Sequence, residues 1–212
     1  MKKTLYSLTL SDEVVREIDL LAHRRGMSRS GLVNEILADY VQVMTPQRWV
    51  SEVFRTVEEL LSPSRELVPF FVPNTSSMSM KSSLAYKYRP TVKYEVELRQ
   101  NGGAGSGTLS VIFRTQSAEL IEAMTQFFRL WKQFEDRRFT RLGQPTRQYE
   151  LYDGRFVRSI VLDGERGDAA QAIADYVQCF DRLMKQWLAG SAAPEELEAA
   201  YCAAMDQMEL TL

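Results

Sequence analysis

Polar and apolar residues alternate near the start of the chain and then recur at the spacing of a helix. The alternation over residues 4–10 predicts a strand that buries one face. Its two faces carry Tyr6, Leu8 and Leu10 on one side, and Leu5, Ser7 and Thr9 on the other. Ser11 is suited to cap the following helix, and Gly26 predicts where that helix ends.

A second helix is predicted directly after this glycine, and it completes a strand–helix–helix unit within residues 1–44. Ser28 is suited to cap the helix, and an apolar stripe runs from Leu32 to Met44. So short a unit buries too little surface to be stable alone, and its single strand has two unpaired edges. Two copies that pair their strands and interleave their helices would solve both problems. The pattern therefore predicts a dimer.

Three features of residues 2–44 carry a resemblance to a known family. They are Leu8-Thr9-Leu10-Ser11 at the end of the strand, the helix that ends at Gly26, and the run Gly26-Met27-Ser28-Arg29-Ser30. With these features the segment resembles the ribbon-helix-helix family of Arc- and MetJ-type repressors. In that family the strands of two subunits form an antiparallel ribbon that enters the major groove of DNA. The resemblance implies a homodimer that binds DNA sequence-specifically.

The resemblance also implies which residues contact DNA. The outward face of the ribbon reads base edges, and we call its members here the base-reading face: Lys3, Leu5, Ser7 and Thr9. Backbone amides at the start of the second helix hold a phosphate, and we call this position the phosphate clamp: Ser28, Arg29 and Ser30. Family members often carry Arg, Lys, Gln or Asn on the ribbon. The Leu-Ser-Thr face of this chain therefore implies a greater dependence on phosphate contacts and DNA shape.

Two other interpretations of residues 1–44 remain open. In the first, residues 1–44 form a ribbon that only dimerises the protein. In the second, they form a β-α-α part of a larger core. Neither interpretation needs a contact with DNA.

Residues 45–83 are predicted to contain one helix followed by a linker. Thr45 and Pro46 are typical of an N-cap and a first helical position, and apolar residues at helical spacing continue to a stop before Ser62. Residues 62–83 are rich in proline and serine, which is typical of a linker or a mobile loop.

Residues 84–212 contain a weak repeat of a hairpin followed by a helix. The first unit has strands over 92–99 and 108–114 and a helix over 117–138. The second has a hairpin over 147–162, which turns at Asp153-Gly154, and a helix over 168–189. A last helix is predicted over 194–208. Two such units would build a four-stranded antiparallel sheet with helices on one face, and the other face would be solvated or line a polar pocket.

Several residue groups in this region have more than one interpretation. The glycine-rich segment 101–107 lacks a lysine and precedes a strand, which favours a hairpin tip over a phosphate-binding loop. The aromatic residues would pack the core or form a ligand cage. The arginines at 137, 138, 141 and 147 would bind phosphate or lie on a solvated surface. Cys179 has no obvious electropositive partner, which favours a buried structural role over redox sensing.

Composition narrows the possible chemistry. With 45% hydrophobic and 25% charged residues, the chain is typical of a soluble globular protein. It contains two cysteines and one histidine, too few for a disulfide framework or a usual zinc site, and no Ser/Cys-His arrangement can form within residues 45–212. We therefore expect no enzyme activity, no metal and no cofactor. The polar N-terminus and the lack of a long apolar segment predict a cytoplasmic protein with no membrane partner.

These patterns predict an α+β protein in three parts: a ribbon-helix-helix DNA-binding module over 1–44, a helix and Pro/Ser-rich linker over 45–83, and an effector or oligomerisation domain over 84–212. The expected function is a dimeric, sequence-specific transcriptional regulator, in particular a repressor. Its expected partners are double-stranded DNA, further copies of the chain as a homodimer or higher oligomer, and a small-molecule or protein effector. The alternative is a DNA-binding accessory protein of plasmid partition, conjugation or toxin control, which would recruit a protein partner through residues 45–212.

Overall fold

A computed structural model describes residues 4–72, 75–85, 89–101, 104–162, 166–208 and 212. Within these ranges the protein is α+β, with six helices and one six-stranded antiparallel sheet. The helices are α1 (Asp12–Arg24), α2 (Arg29–Tyr40), α3 (Pro46–Leu61), α4 (Ala118–Arg141), α5 (Arg166–Leu188) and α6 (Pro194–Asp206). The strands are β1 (Leu67–Phe71), β2 (Ser77–Ser83), β3 (Thr91–Asn101), β4 (Ala104–Phe113), β5 (Tyr149–Tyr152) and β6 (Arg155–Leu162).

The strands lie side by side in the order β1-β2-β3-β4-β6-β5. The two hairpins predicted from the repeat are confirmed as β3–β4 and β5–β6, and the second turns at Gly154 with a φ of 75°. The prediction of a four-stranded sheet is wrong, because β1 and β2 extend the sheet beyond β3.

The two additional strands come from residues 62–83, for which the composition predicts a linker. Met78 and Met80 alternate with serines along β2 and are buried against the helices. The paired residues Ser79 and Glu95 join β2 to the central strand β3. Serine is a poor indicator of a strand by composition, but its period-two alternation with methionine is the strand signal here. The hairpin β1–β2 therefore belongs to the same sheet as the strands of residues 84–212. The helix α3 packs into the same hydrophobic core.

One face of the sheet is covered by helices and the other is open. Phe128 of α4 stacks on Phe156 of β6 with ring centroids 5.4 Å apart, and Phe180 of α5 contacts Tyr94 of β3 at 6.0 Å. Both long helices therefore pack on the same face, as the repeat predicts. The open face carries cross-strand rows of mixed polarity, for example Phe70, Ser79, Glu95, Ser110, Val157 and Glu150.

A charged pair lies inside the core between α4 and β6. Arg158 and Glu135 are 1% and 0% exposed, and their nearest nitrogen and oxygen atoms are 2.8 Å apart. Tyr176 of α5 donates its hydroxyl proton to Glu135 at 3.0 Å, and Trp131 donates its indole N–H to Tyr176 at 2.7 Å. Arg158 also donates to the backbone oxygen of Leu212 at 2.6 Å. This network satisfies polar groups that would otherwise be costly to bury.

The glycine-rich segment has a packing role within β4. A Cβ atom on Gly107 would lie 1.8 Å from the backbone oxygen of Glu97 on β3, a separation that no side chain tolerates. Gly105 faces Trp49 of α3, whose Cη2 atom would be 2.6 Å from an added Cβ. These glycines let the backbone of β4 approach both neighbours closely. The tip of the predicted hairpin, residues 102 and 103, lies outside the described residues.

Candidate nucleic-acid interface

The helix α1 begins at the cap that the sequence predicts. The Ser11 side chain accepts a hydrogen bond from the Val14 amide at 3.4 Å, and Asp12 and Glu13 occupy the first turn. These charges are favourable there because the N-terminus of a helix carries a partial positive charge. The position of α1 in the chain is therefore set by local chemistry.

A tight turn at Gly26 joins α1 to α2. Gly26 adopts a φ of 63°, and the following amide of Met27 donates to the carbonyl of Ala22 at 3.0 Å. This is the left-handed helix ending that glycine favours. Nothing lies within 4 Å of a Cβ built on Gly26, so the glycine is needed for its backbone conformation and not for space.

The start of α2 contains the three residues of the predicted phosphate clamp. Ser28 caps the helix by accepting a hydrogen bond from the Gly31 amide at 3.2 Å, and its hydroxyl lies 3.4 Å from that of Ser30. The amides of Arg29 and Ser30 have no acceptor among the described residues, as expected for the first turn of a helix. Their N–H groups are the donors that an anion would use.

Arg29 is held by a carboxylate of α1. Its Nε atom donates to Asp19 at 2.6 Å and its Nη2 atom donates at 2.5 Å. The hydrogen bond from Arg29 holds the pKa of Asp19 below its ordinary value, so this carboxylate is charged at neutral pH. No local sequence signal identifies Asp19 as the partner of Arg29, because the contact depends on how α1 and α2 cross.

Residues 4–10 form no strand with any other residue that the structure describes. Residues 4–10 are all exposed: Leu5 is 95%, Tyr6 80% and Leu8 64% exposed. Leu5, Ser7 and Thr9 of the predicted base-reading face therefore lie on a segment without a partner among the described residues. Lys3, the fourth member of this face, lies outside the described residues.

The N-terminal unit leaves most of its apolar side chains uncovered. Only Ala22, Leu32 and Ala38 are buried within residues 4–44. Of the 16 large hydrophobic side chains that are exposed in the described part of the chain, 11 lie within residues 5–43. They are Leu5, Tyr6, Leu8, Leu10, Val14, Leu20, Ile36, Leu37, Tyr40, Val41 and Val43. Such a concentration of exposed apolar side chains in one segment favours a partner that covers them.

The unit is joined to the α+β core through a polar junction. Thr45 caps α3 by accepting a hydrogen bond from the Arg48 amide at 3.1 Å, and its hydroxyl donates to Glu35 of α2 at 2.9 Å. Arg48 of α3 forms an ion pair of 2.7 Å with Asp39 of α2. These contacts fix the end of α2 against the start of α3.

The chain matches no protein-family model, no curated protein and no solved structure.

Three of the four arginines in residues 137–147 contact other parts of the chain: Arg137, Arg138 and Arg147. Arg137 pairs with Glu198 of α6 at 2.8 Å, and Arg138 pairs with Asp206 at the end of the same helix. Arg147 donates to the backbone oxygen of Leu212 at 2.9 Å and lies over the ring of Phe139. The contacts of Arg137 and Arg138 give these two arginines a structural role in holding α6 against α4.

The thiol of Cys179 is buried within α5. Burial raises the pKa of the Cys179 thiol to about 11, which keeps it protonated and unreactive at neutral pH. Among the residues that the structure describes, no group of three or more His, Cys, Asp or Glu side chains is placed to hold a metal ion. No helix in the described ranges is long and apolar enough to cross a membrane.

Proposed function

We propose that the protein is a dimeric, sequence-specific DNA-binding transcriptional regulator with a ribbon-helix-helix module at residues 1–44. The observation that carries the proposal is the concentration of exposed apolar side chains in residues 5–43. Apart from Leu5, which belongs to the base-reading face, these side chains lie on the elements that a ribbon-helix-helix dimer would bury, namely the other face of the proposed strand and the two helices. The resemblance of residues 2–44 to that family supports the same conclusion.

The energetics of the exposed surface favour a second copy as its partner. Burying one large apolar side chain contributes about 1.5–3 kcal/mol, so covering Tyr6, Leu8 and Leu10 in both protomers would contribute on the order of 10 kcal/mol before the cost of association. Residues 4–10 pair with no other part of residues 4–44, and pairing as a strand with a second copy would satisfy their backbone groups. An isologous contact of this kind follows from two-fold symmetry.

In the proposed complex the two halves of the unit contact different parts of DNA. The amides of Arg29 and Ser30 at the start of α2 would bind a phosphate. Leu5, Ser7 and Thr9 would face base edges: hydroxyl groups bond to either class of base, and Leu5 would contact a thymine methyl group. Lys3, just before these residues, belongs to the same proposed DNA-binding face.

The test combines an assembly measurement with DNA selection. Leu8→Asp places a charge in the proposed dimer interface, and we expect it to produce monomers in sedimentation equilibrium and to abolish DNA binding. Leu142→Asp is the matched control, because Leu142 is also exposed but lies at the end of α4. DNA selected from a random pool by the wild-type protein would supply the binding site. A wild-type protein that is monomeric and enriches no DNA would disprove the proposal.

We further propose that the α+β region contributes to assembly. Val68, Phe70 and Val72 form an exposed apolar stripe along and just beyond the edge strand β1. Pro69 lies within this strand and limits further strand pairing at the edge, so the stripe is suited to contact a surface through its side chains. If the wild-type protein forms an oligomer larger than a dimer, Phe70→Glu should dissociate it into dimers. These dimers should still bind DNA. An unchanged oligomeric state would favour effector sensing as the role of this region.

A further inference from the structure

The guanidinium group of Arg29 forms an ion pair with Asp19 of the same chain. Its guanidinium group makes two hydrogen bonds, of 2.6 and 2.5 Å, to the two carboxylate oxygens of Asp19. Such a two-point contact uses one whole edge of the guanidinium group. Both side chains are about half exposed, so the pair lies at the surface and is open to competition.

The pair changes what Arg29 contributes to a phosphate contact. A lone arginine at this position would add one positive charge to the surface that meets the DNA backbone. With Asp19 bound to it, the net charge of the pair is zero. An approaching phosphate would have to displace the carboxylate or accept its repulsion at a distance of a few ångströms.

We propose that Asp19 limits the affinity of this protein for DNA by competing with the phosphate backbone for Arg29. This inference rests on the proposed DNA-binding function and adds an intramolecular competitor to its phosphate clamp. Because a phosphate contact acts on every sequence alike, removing the competitor should raise affinity without changing sequence preference.

The experiment measures binding to a 30-base-pair duplex of mixed sequence by fluorescence anisotropy over a series of KCl concentrations. Asp19→Asn keeps the size of the side chain and removes its charge. We expect it to tighten binding by roughly tenfold at about 0.1 M salt and to steepen the slope of log K against log[KCl] by about 0.9 per protomer. Asp19→Ser should also tighten binding. Agreement between the two variants would show that the effect comes from the lost charge and not from the asparagine side chain.

Three further variants separate the effect of the pair from that of the overall charge. Arg29→Ala leaves Asp19 unpaired and should weaken binding, whereas Asp19→Asn with Arg29→Ala should return to near the wild-type affinity, because the net charge is restored to zero. Glu17→Gln removes an equal charge from the same helix at an exposed position with no ion pair among the described residues. It should change affinity much less than Asp19→Asn.

Three results would overturn the inference. Binding by Asp19→Asn that is unchanged or weaker would show that Asp19 positions Arg29 instead of competing for it, while the proposed DNA-binding function would stand. An equal gain in Glu17→Gln would assign the effect to total charge. If neither the wild type nor Asp19→Asn binds the duplex, although circular dichroism shows both folded, the proposed function fails and this inference with it.

Discussion

Arg158 and Glu135 form an ion pair in the interior of the protein, 2.8 Å apart and almost inaccessible to solvent. One partner comes from the sheet and the other from α4, so the pair connects the two layers of the fold. A buried charge is tolerated only with a close partner, and each of these side chains is the partner of the other.

Removing one member of this pair should be strongly destabilising. Arg158→Leu leaves the Glu135 carboxylate buried without its counter-charge, and we expect the free energy of unfolding to fall by about 3–5 kcal/mol in urea denaturation. Arg155→Leu on the same strand is the control; its side chain is exposed, so the expected change is within about 0.5 kcal/mol.

The double variant Glu135→Leu with Arg158→Leu should recover most of the stability lost by Arg158→Leu, because no charge is then left unpaired. A double variant as unstable as the single one would show that packing, and not charge, determines the cost.

Gly107→Ala should destabilise the central sheet through a steric clash. The added Cβ would meet the backbone oxygen of Glu97 at 1.8 Å, so β3 and β4 would have to separate. We expect a loss of about 3 kcal/mol or more in the free energy of unfolding. Ser106→Ala, at the adjacent exposed position, should cost far less in the same urea titration. Equal stability of the two variants would contradict the close approach of these strands.

Cys179 should react slowly with thiol reagents in the native protein. Its pKa of about 11, against an ordinary value of 9.0, lowers the thiolate fraction at pH 8 by roughly a hundredfold. In a Cys202→Ser variant, the remaining thiol should react with dithionitrobenzoate slowly in buffer and rapidly in urea. The native rate should rise as the pH approaches 11. A fast reaction at pH 8 would mean that α5 opens readily around this residue.

Ser7→Pro tests the proposed ribbon directly. Proline removes a backbone donor from the middle of residues 4–10 and should cause loss of the dimer and of DNA binding together. Ser7→Ala keeps the amide and should preserve the dimer in sedimentation equilibrium. If Ser7→Pro remains a DNA-binding dimer, the segment does not pair as a strand.

The elements that could be predicted from the sequence are those with local signals. The caps at Ser11, Ser28 and Thr45 lie where side-chain chemistry places them, and so does the turn at Gly154. Each depends on residues only a few positions apart in the chain.

The elements that could not be predicted depend on distant partners or on ambiguous composition. Glu135 and Arg158 lie 23 positions apart and meet only because α4 crosses β6. Asp19 and Arg29 meet across a turn whose geometry the sequence does not specify. The composition of residues 62–83 does not predict the hairpin β1–β2, because serines and prolines are typical of loops. Met78 and Met80 nevertheless keep the period of a strand. The proposed contacts of Leu5, Ser7 and Thr9 depend on a second copy and stay a prediction.

The polar junction between α2 and α3 has a mechanical consequence. Contacts among Thr45, Glu35, Asp39 and Arg48 join the end of α2 to the start of α3. They restrict the angle between the N-terminal unit and α3. If two N-terminal units pair around a two-fold axis, that angle also determines where the two sheets stand relative to each other and to the DNA axis. A movement of α3 within the core would then change the spacing of the two α2 helices. The residues of the proposed base-reading face and phosphate clamp would stay the same.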